Sequence, residues 1–302
     1  MTDHAANESA TNDPRFNKVA WSRFSEQFLP YDIDSLENRD EAFIAEVSRR
    51  LAHLFRTYFS FQPKGFERIP EGAGLYVANH NGGALTPDTL LFSSEIIKEK
   101  SVDDVPYALA HQAVMQMPGF HQLFSKIGGM RACHENAAKV FGADKKVLVY
   151  PGGDEDVFRP YRKRNEIVFG GRTGYIRLAL RENVPVIPVV TAGAHETFMV
   201  LEDMKWFAKL IRSDKWMRLK VWPLVLSFPW GLTFGVTPPH IPVPSPIHME
   251  VIKPFYFDRS GEEAASDDDY VRECAAQVEE AMEDSLKQLA AERQAAIRSI
   301  FN

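Results

Sequence analysis

The sequence predicts an α/β fold, a single domain with a mostly parallel mixed sheet flanked by helices, plus N-terminal and C-terminal helices. Short apolar runs with the length of buried strands alternate with segments of helical period. The composition of the 302 residues, 45% hydrophobic and 25% charged, is that of a globular chain able to bury a sizeable core. The two cysteines, Cys133 and Cys274, lie far apart, so neither a disulfide framework nor a zinc site is predicted.

Residues 1–62 are predicted to form a mobile N-terminus followed by an amphipathic helical region. Apolar residues recur every three or four positions from 35 to about 60, and Asp34 begins a pattern that resembles a capping box. Two interpretations of this helix are open: it packs on the main domain, or it lies on a membrane with the aromatic residues at its end in contact with lipid. No signal peptide is predicted, because the first 15 residues contain no apolar run after a basic cluster.

Residues 63–260 are predicted to form the main domain, in which strands alternate with helices. The expected strands are 74–78, 105–110, 146–150, 186–190 and 249–256. The expected helices between them include 89–99 and 174–182. Residues 261–302 are predicted to close the domain with a C-terminal helix, since apolar side chains from Val271 to Met282 share one face.

A histidine follows the first of these strands. Residues 77–88 read VANHNGGALTPD, so Asn79 and His80 enter a glycine-containing loop and Asp88 stands where the next helix begins. Loops at the carboxyl ends of strands in open α/β sheets commonly bind ligands. A histidine there can take a proton from a hydroxyl near neutral pH, and a carboxylate can orient the imidazole. Asp88 has a second interpretation as an ordinary helix cap, and the two roles are compatible.

A later strand ends in a glycine turn that is followed by charged residues. Gly152 and Gly153 form the turn, Asp154 and Asp156 follow it, and Arg159 comes next. Two interpretations are open: a salt-bridged surface of little energetic weight, or a turn whose backbone N–H groups bind an anion or an oxyanion.

A third glycine-containing stretch, residues 169–180, precedes a predicted helix. The N-terminus of that helix favours a phosphate, and Arg172 is placed to assist. The nucleotide-binding patterns GxGxxG and GxxxxGK[ST] do not occur, so a nucleotide fingerprint is not predicted.

Four motifs in this order resemble the glycerolipid and lysophospholipid acyltransferase superfamily, the 1-acylglycerol-3-phosphate acyltransferase-like enzymes. They are NH…D at 79–88, YPGGDED at 150–156, GGRTGYIRLAL at 170–180 and VPVIPVV at 184–190. The pattern is closest to the monoacylglycerol and diacylglycerol acyltransferase-like branch, and the resemblance covers about residues 65–257.

The resemblance implies an O-acyltransferase of lipid metabolism and phospholipid biosynthesis. It would move a fatty acyl group directly from acyl-CoA or an acyl-carrier protein to the hydroxyl of a lysophospholipid or a mono- or diacylglycerol. His80 is then the general base and Asp88 its orienting partner, with no metal and no resident cofactor. The substrate-binding candidates are Asn79, Arg131, Gly152, Gly153, Asp154, Asp156, Arg159 and Arg172.

The sequence departs from the superfamily pattern at two of these positions. Seven residues separate His80 from Asp88, where the wider superfamily has four. Asp156 stands where the branch often has Glu. Two other classes of function share the same residues: a thioester or ester hydrolase that uses water as the acceptor, and a non-catalytic lipid-binding member of the fold.

Residues 202–249 are predicted to face a membrane. In 202–222 basic and aromatic residues alternate at helical spacing, which is typical of an interfacial helix. Residues 221–249 contain no Lys, Arg, Asp or Glu but 7 prolines, which excludes one regular spanning helix. A shallow membrane-dipping loop, a cover over an acyl groove and an ordinary buried loop are the open interpretations.

The expected partners are therefore a membrane surface, a lipid acceptor and an acyl-CoA or acyl-carrier protein. The expected location is the cytoplasmic face of a membrane, with peripheral or monotopic attachment. No nucleic-acid partner is expected, because the formal net charge is −6.

Overall fold

Five parallel strands form the centre of the computed structural model, which describes residues 32–80, 86–110, 115, 120–216, 219–235, 237 and 240–301. The strands of the described residues are β1 (Gln62–Lys64), β2 (Gly74–Ala78), β3 (Tyr107–Ala110), β4 (Gly129–Arg131), β5 (Lys146–Val149), β6 (Val186–Ala192), β7 (Met199–Glu202), β8 (Leu224–Ser227), β9 (Gly231–Phe234) and β10 (His248–Val251). Seven of them form one sheet in the order β1-β10-β6-β2-β5-β3-β4. Among the described strand pairs of this sheet only β10–β6 is antiparallel, so the predicted mostly parallel mixed sheet is confirmed.

The helices of the described residues are α1 (Glu41–Tyr58), α2 (Pro87–Glu99), α3 (Phe120–Lys126), α4 (His134–Gly142), α5 (Gly153–Val157), α6 (Gly174–Glu182), α7 (Lys205–Leu210), α8 (Ser213–Trp216), α9 (Gly261–Ser266) and α10 (Asp268–Phe301). Helices α1 and α2 cover one face of the main sheet, and α4, α6 and α10 cover the other. Successive side chains of a strand point to opposite faces. Leu75 and Val77 of β2 accordingly join the core beneath α4, α6 and α10, whereas Tyr76 and Ala78 join the core beneath α1 and α2.

The terminal helices share these cores. The side chains from Val271 to Met282 that were predicted to form one apolar face are buried, and α10 contacts β6 and β10. Helix α1 packs against α2 and carries the buried Ile44 into the second core. The predicted fold class, with helices at both ends of the domain, is therefore confirmed, while the predicted boundaries at 62/63 and 260/261 stay predictions.

The start of the N-terminal helix differs from the expectation. Helix α1 is capped by Asp40, whose Oδ1 accepts a hydrogen bond from the N–H of Phe43 at 2.9 Å. Asp34 was predicted to cap it, and that prediction is wrong because its carboxylate is bonded to Arg131 and Asn136.

The predicted basic helix over 202–222 is also wrong. The backbone of Met204 and of Arg212 has positive φ, which separates β7, α7 and α8. Strands β7, β8 and β9 form a second, three-stranded antiparallel sheet. Within the described ranges, we find no helix that is both long enough and apolar enough to span a bilayer.

Candidate active site

The end of β2 is held by Asn79, directly before His80. The side-chain amide of Asn79 donates to the carbonyl of Thr191 at 3.0 Å and accepts from the N–H of the same residue at 2.8 Å. Both hydrogen bonds are buried and join β2 to β6. The structure thus gives Asn79 a positioning role, and its predicted contact with substrate stays a prediction.

His80 lies at the carboxyl edge of the parallel strands, and its backbone is bonded on both sides. Its N–H donates to Oδ2 of Asp156 at 2.5 Å, and its carbonyl accepts from Nη1 of Arg159 at 2.9 Å. Asp156 and Arg159 form an ion pair with each other, and both side chains are buried. The two charged residues therefore fix the main chain from which the imidazole projects.

The glycine turn before α5 makes this arrangement possible. A Cβ on Gly152 would lie 2.2 Å from the carbonyl oxygen of Val168 and 2.3 Å from the Cβ of Asp156, so only glycine fits there. Gly153 has φ +52°, which favours glycine. Arg172 donates to the carbonyls of Pro151, at 3.1 Å, and of Gly152. Gly152, Gly153 and Arg172 thus shape the turn that brings Asp156 to His80.

The electrostatics of the buried pair favour a high proton affinity at Asp156. Burial raises the pKa of Asp156 to about 6, although the charge of Arg159 and the hydrogen bond from His80 oppose the shift. His195 contacts Arg159: its Nε2 donates to the Arg159 carbonyl at 2.6 Å. Burial, then the nearby Arg159 charge, lowers the pKa of His195 well below its ordinary value, so this imidazole is neutral.

Tyr150 is a site residue that the sequence interpretation did not single out. Its ring centroid lies 4.3 Å from that of His80, with an interplanar angle of 35°. Its hydroxyl is 2.7 Å from Oγ1 of Thr89. Burial, followed by the negative charge of Asp88, raises the pKa of Tyr150 above its ordinary value, so the phenol keeps its proton.

Asp88 lies in the first turn of α2 and is buried. Its Oδ1 accepts from the N–H of Thr89 at 2.7 Å. His80 contacts the Tyr150 ring and the charge of Asp88 acts on its phenol, while residues 81–85, between His80 and Asp88, lie outside the described residues. Orientation of His80 by Asp88 stays a prediction.

The remaining predicted site residues have partners within the protein. Asp154 accepts from the backbone N–H of Lys220 at 2.6 Å and lies 3.3 Å from Arg172. Arg131 and Asn136 both donate hydrogen bonds to the carboxylate of Asp34. Burial alone would raise the pKa of Asp34, but these hydrogen bonds and the charge of Arg131 lower it. The structure therefore gathers Asp156 and Arg159 at His80 and places Arg131 in a separate network.

An apolar cavity of about 320 Å³ opens beside the site, between α1, α2, α3 and the sheet. Its walls include Leu51, Phe55 and Leu90, and its lining reaches Thr86 and Thr89 at the start of α2. Thr89 is bonded to Tyr150 and Tyr150 contacts His80, so Tyr150 links the lining of the cavity to the imidazole. Its volume is in the range of ligand-binding pockets.

The site has the groups for proton transfer. In the part of the chain that the structure describes, no group of three or more His, Cys, Asp or Glu side chains is arranged to hold a metal ion. The arrangement combines an imidazole on a fixed backbone with an apolar cavity, which suits proton abstraction next to a bound hydrocarbon chain.

Known proteins resemble this chain over different parts of its length. Residues 60–192 match the family model described as acyltransferase. An uncharacterized protein of Mycobacterium tuberculosis is 27% identical over 300 residues, covering 98% of this chain and 80% of that protein. The mouse (Mus musculus) protein called DGAT1/2-independent enzyme synthesizing storage lipids is 26% identical over 159 residues, 53% of this chain and 47% of its own length.

A comparison of structures gives one further similarity. The crystal structure of the 1-acyl-sn-glycerophosphate (LPA) acyltransferase PlsC from Thermotoga maritima has a TM-score of 0.49 and 16% sequence identity, over 90% of each chain.

Proposed function

From the premise that residues 60–192 form an acyltransferase domain of the glycerolipid acyltransferase superfamily, we propose that this enzyme moves a fatty acyl group from acyl-CoA or an acyl-carrier protein to a glycerolipid hydroxyl. The observation that carries the proposal is the fixed backbone of His80, whose imidazole Tyr150 and Thr89 link to an apolar cavity. The cavity accommodates the acyl chain, and the imidazole faces the reacting groups.

The proposed reaction is a direct transfer. His80 takes the proton of the acceptor hydroxyl while its oxygen attacks the thioester carbon, which gives a tetrahedral oxyanion. The intermediate collapses with loss of the thiolate, which takes the proton from the imidazolium. The new ester and the free thiol are the products, and no resident cofactor takes part.

The proposed acceptor is a mono- or diacylglycerol rather than a lysophospholipid. A phosphorylated acceptor would need basic ligands, and the three arginines among the predicted substrate-binding residues, Arg131, Arg159 and Arg172, each bind a carboxylate of the protein itself. The name of the mouse relative, which refers to storage lipids, also supports a neutral acceptor. Since such acceptors reside in membranes, we place the enzyme at the cytoplasmic face of a membrane as a peripheral or monotopic protein.

An acceptor panel tests the proposal. The purified chain is incubated with labelled acyl-CoA and, in turn, with monoacylglycerol, diacylglycerol, lysophosphatidic acid and no acceptor. Label in triacylglycerol or diacylglycerol is the expected result. Label in phosphatidic acid alone would replace the neutral acceptor with a phosphorylated one. Release of free fatty acid at the same rate without an acceptor would contradict transfer and indicate a hydrolase.

A further inference from the structure

We propose that the outer face of the β8–β9 hairpin binds an anionic lipid surface. This hairpin face consists of Leu226, Phe228, Trp230, Leu232 and Phe234, all of which are exposed. The inference assigns a surface to the proposed membrane location, so it rests on that part of the proposed function and not on the acyl-transfer chemistry.

The two faces of the small sheet are both apolar. Val225 is buried and pairs with the buried Val200 of β7, so the inner face is a core. On the outer face Leu226 lies opposite Leu232, which is 62% exposed. An antiparallel sheet with one buried face ordinarily carries polar side chains on the other. The hairpin face departs from that pattern and exposes a contiguous apolar surface of the kind that marks an interaction site.

The hairpin face extends towards the apolar cavity beside the site. The N–H of Ile241 donates to the carbonyl of Phe228 at 2.8 Å, and the side chain of Ile241 is exposed. Pro242, the next residue, lines the cavity and accepts from the hydroxyl of Tyr58 at 2.9 Å. Phe228, Ile241 and Pro242 thus connect the hairpin face to the lining of the cavity proposed for the acyl chain.

Exposed basic residues near the hairpin face indicate that its partner is anionic. Lys209, Arg212 and Lys215 are exposed on and after α7, and Phe207 of that helix packs against Phe234 at 4.7 Å between ring centroids. Basic residues beside exposed aromatic and aliphatic side chains match the chemistry of an anionic lipid surface. A second copy fits less well, because a two-fold contact through this face would bring the two basic clusters together.

Vesicle flotation tests the inference with the full chain and without any acyl donor. The wild-type protein is expected to bind phosphatidylcholine vesicles that contain phosphatidylglycerol more strongly than vesicles of phosphatidylcholine alone. The double substitution Leu226→Ser/Leu232→Ser should weaken binding to both vesicles by about tenfold or more, because two apolar contacts with lipid are lost. Lys209→Glu/Arg212→Glu should weaken binding to the anionic vesicles only.

Tyr256→Ser is the matched control, since Tyr256 is 68% exposed and lies outside the hairpin face. It should bind as the wild type does, and circular dichroism shows that each variant is folded. Three outcomes would overturn the inference: no vesicle binding by the wild type, equal binding by the hairpin variant, or a wild-type dimer in solution that the hairpin variant abolishes. Vesicle binding without acyl transfer would uphold it and contradict the acyl-transfer proposal alone.

Discussion

At the scale of single residues, the position of His80 depends on two side chains that need not touch substrate. Asp156 accepts from the backbone N–H of His80, and Arg159 donates to its carbonyl. Asp156 and Arg159 also form a buried ion pair with each other. An unpaired buried charge is costly, so loss of either partner affects the other. We therefore interpret Asp156, the last residue of the YPGGDED motif, as a residue that positions His80.

Asp156→Asn keeps the volume of the side chain and removes its charge. The variant should lower kcat by roughly 10–100-fold with little change in KM, because charge-assisted hydrogen bonds to buried groups contribute about 1.5–3 kcal/mol. The wild-type rate should also fall as the pH drops through about 6, where Asp156 gains a proton. Steady-state kinetics against pH, in wild type and variant, measure both effects.

The same pKa makes a prediction for stability. The pKa of Asp156 is raised from 3.8 to about 6, so the folded state binds this proton more tightly than the unfolded state. The contribution of Asp156 to the free energy of unfolding is therefore present below pH 3.8 and lost as the pH rises to about 6. Urea unfolding of Asp156→Asn should lack that decline.

Glu95→Gln is the control for the kinetic measurements on Asp156→Asn. Glu95 is also a buried carboxylate, and it is ion-paired to Arg56 and Lys98. It should leave kcat and its pH dependence unchanged. Equal kinetics for Asp156→Asn and wild type at all pH values would show that the backbone bond to Asp156 does not position His80.

Gly152→Ala tests the close packing of the glycine turn. The added methyl group meets the Val168 carbonyl and Asp156, so the free energy of unfolding should fall by about 1–3 kcal/mol and transfer activity with it. Gly174→Ala, where nothing lies within 4 Å of the added Cβ, should be neutral. Equal urea midpoints for the two variants would contradict the packing argument.

At the scale of elements, local pattern predicted the strands and helices whose faces are buried. The bounds of β2 and α6 agree with the expected 74–78 and 174–182, because apolar periodicity reports burial directly. The prediction of one helix over 202–222 was wrong. The helical spacing of basic and aromatic residues there is also compatible with two short helices, which the positive φ of Arg212 separates. The pairing of β7 with β8 joins residues 199–202 to residues 224–226, and a pairing between distant segments leaves no local signal in the sequence.

The cavity between α1 and α2 gives a prediction for substrate choice. Ala52 lines it, and Ala52→Trp should fill part of its volume. The ratio of kcat/KM for a long-chain to a short-chain acyl-CoA should fall, because the longer chain needs more of the cavity. Ala295→Trp, on an exposed face of α10, should leave this ratio unchanged. An unchanged ratio in Ala52→Trp would place the acyl chain elsewhere.

At the scale of the whole molecule, sheet order determines which motifs meet. His80 after β2, Asp156 after β5 and His195 after β6 come together because these strands are neighbours in the order β6-β2-β5. The sequence predicted that His80 and the YPGGDED turn both follow strands, and the parallel sheet places them at one edge. It did not predict the contacts of Tyr150 and His195, because both rings are positioned by residues far away in the chain.

The central claim is that His80 is the base for acyl transfer to a lipid hydroxyl. Its most direct test is the transfer rate of His80→Ala with the acceptor that the wild type uses, next to His53→Ala, a histidine exposed on α1. We predict a loss of about 10²–10⁴-fold for His80→Ala at unchanged folding, and none for His53→Ala. A folded His80→Ala protein that transfers acyl groups at the wild-type rate would contradict the claim.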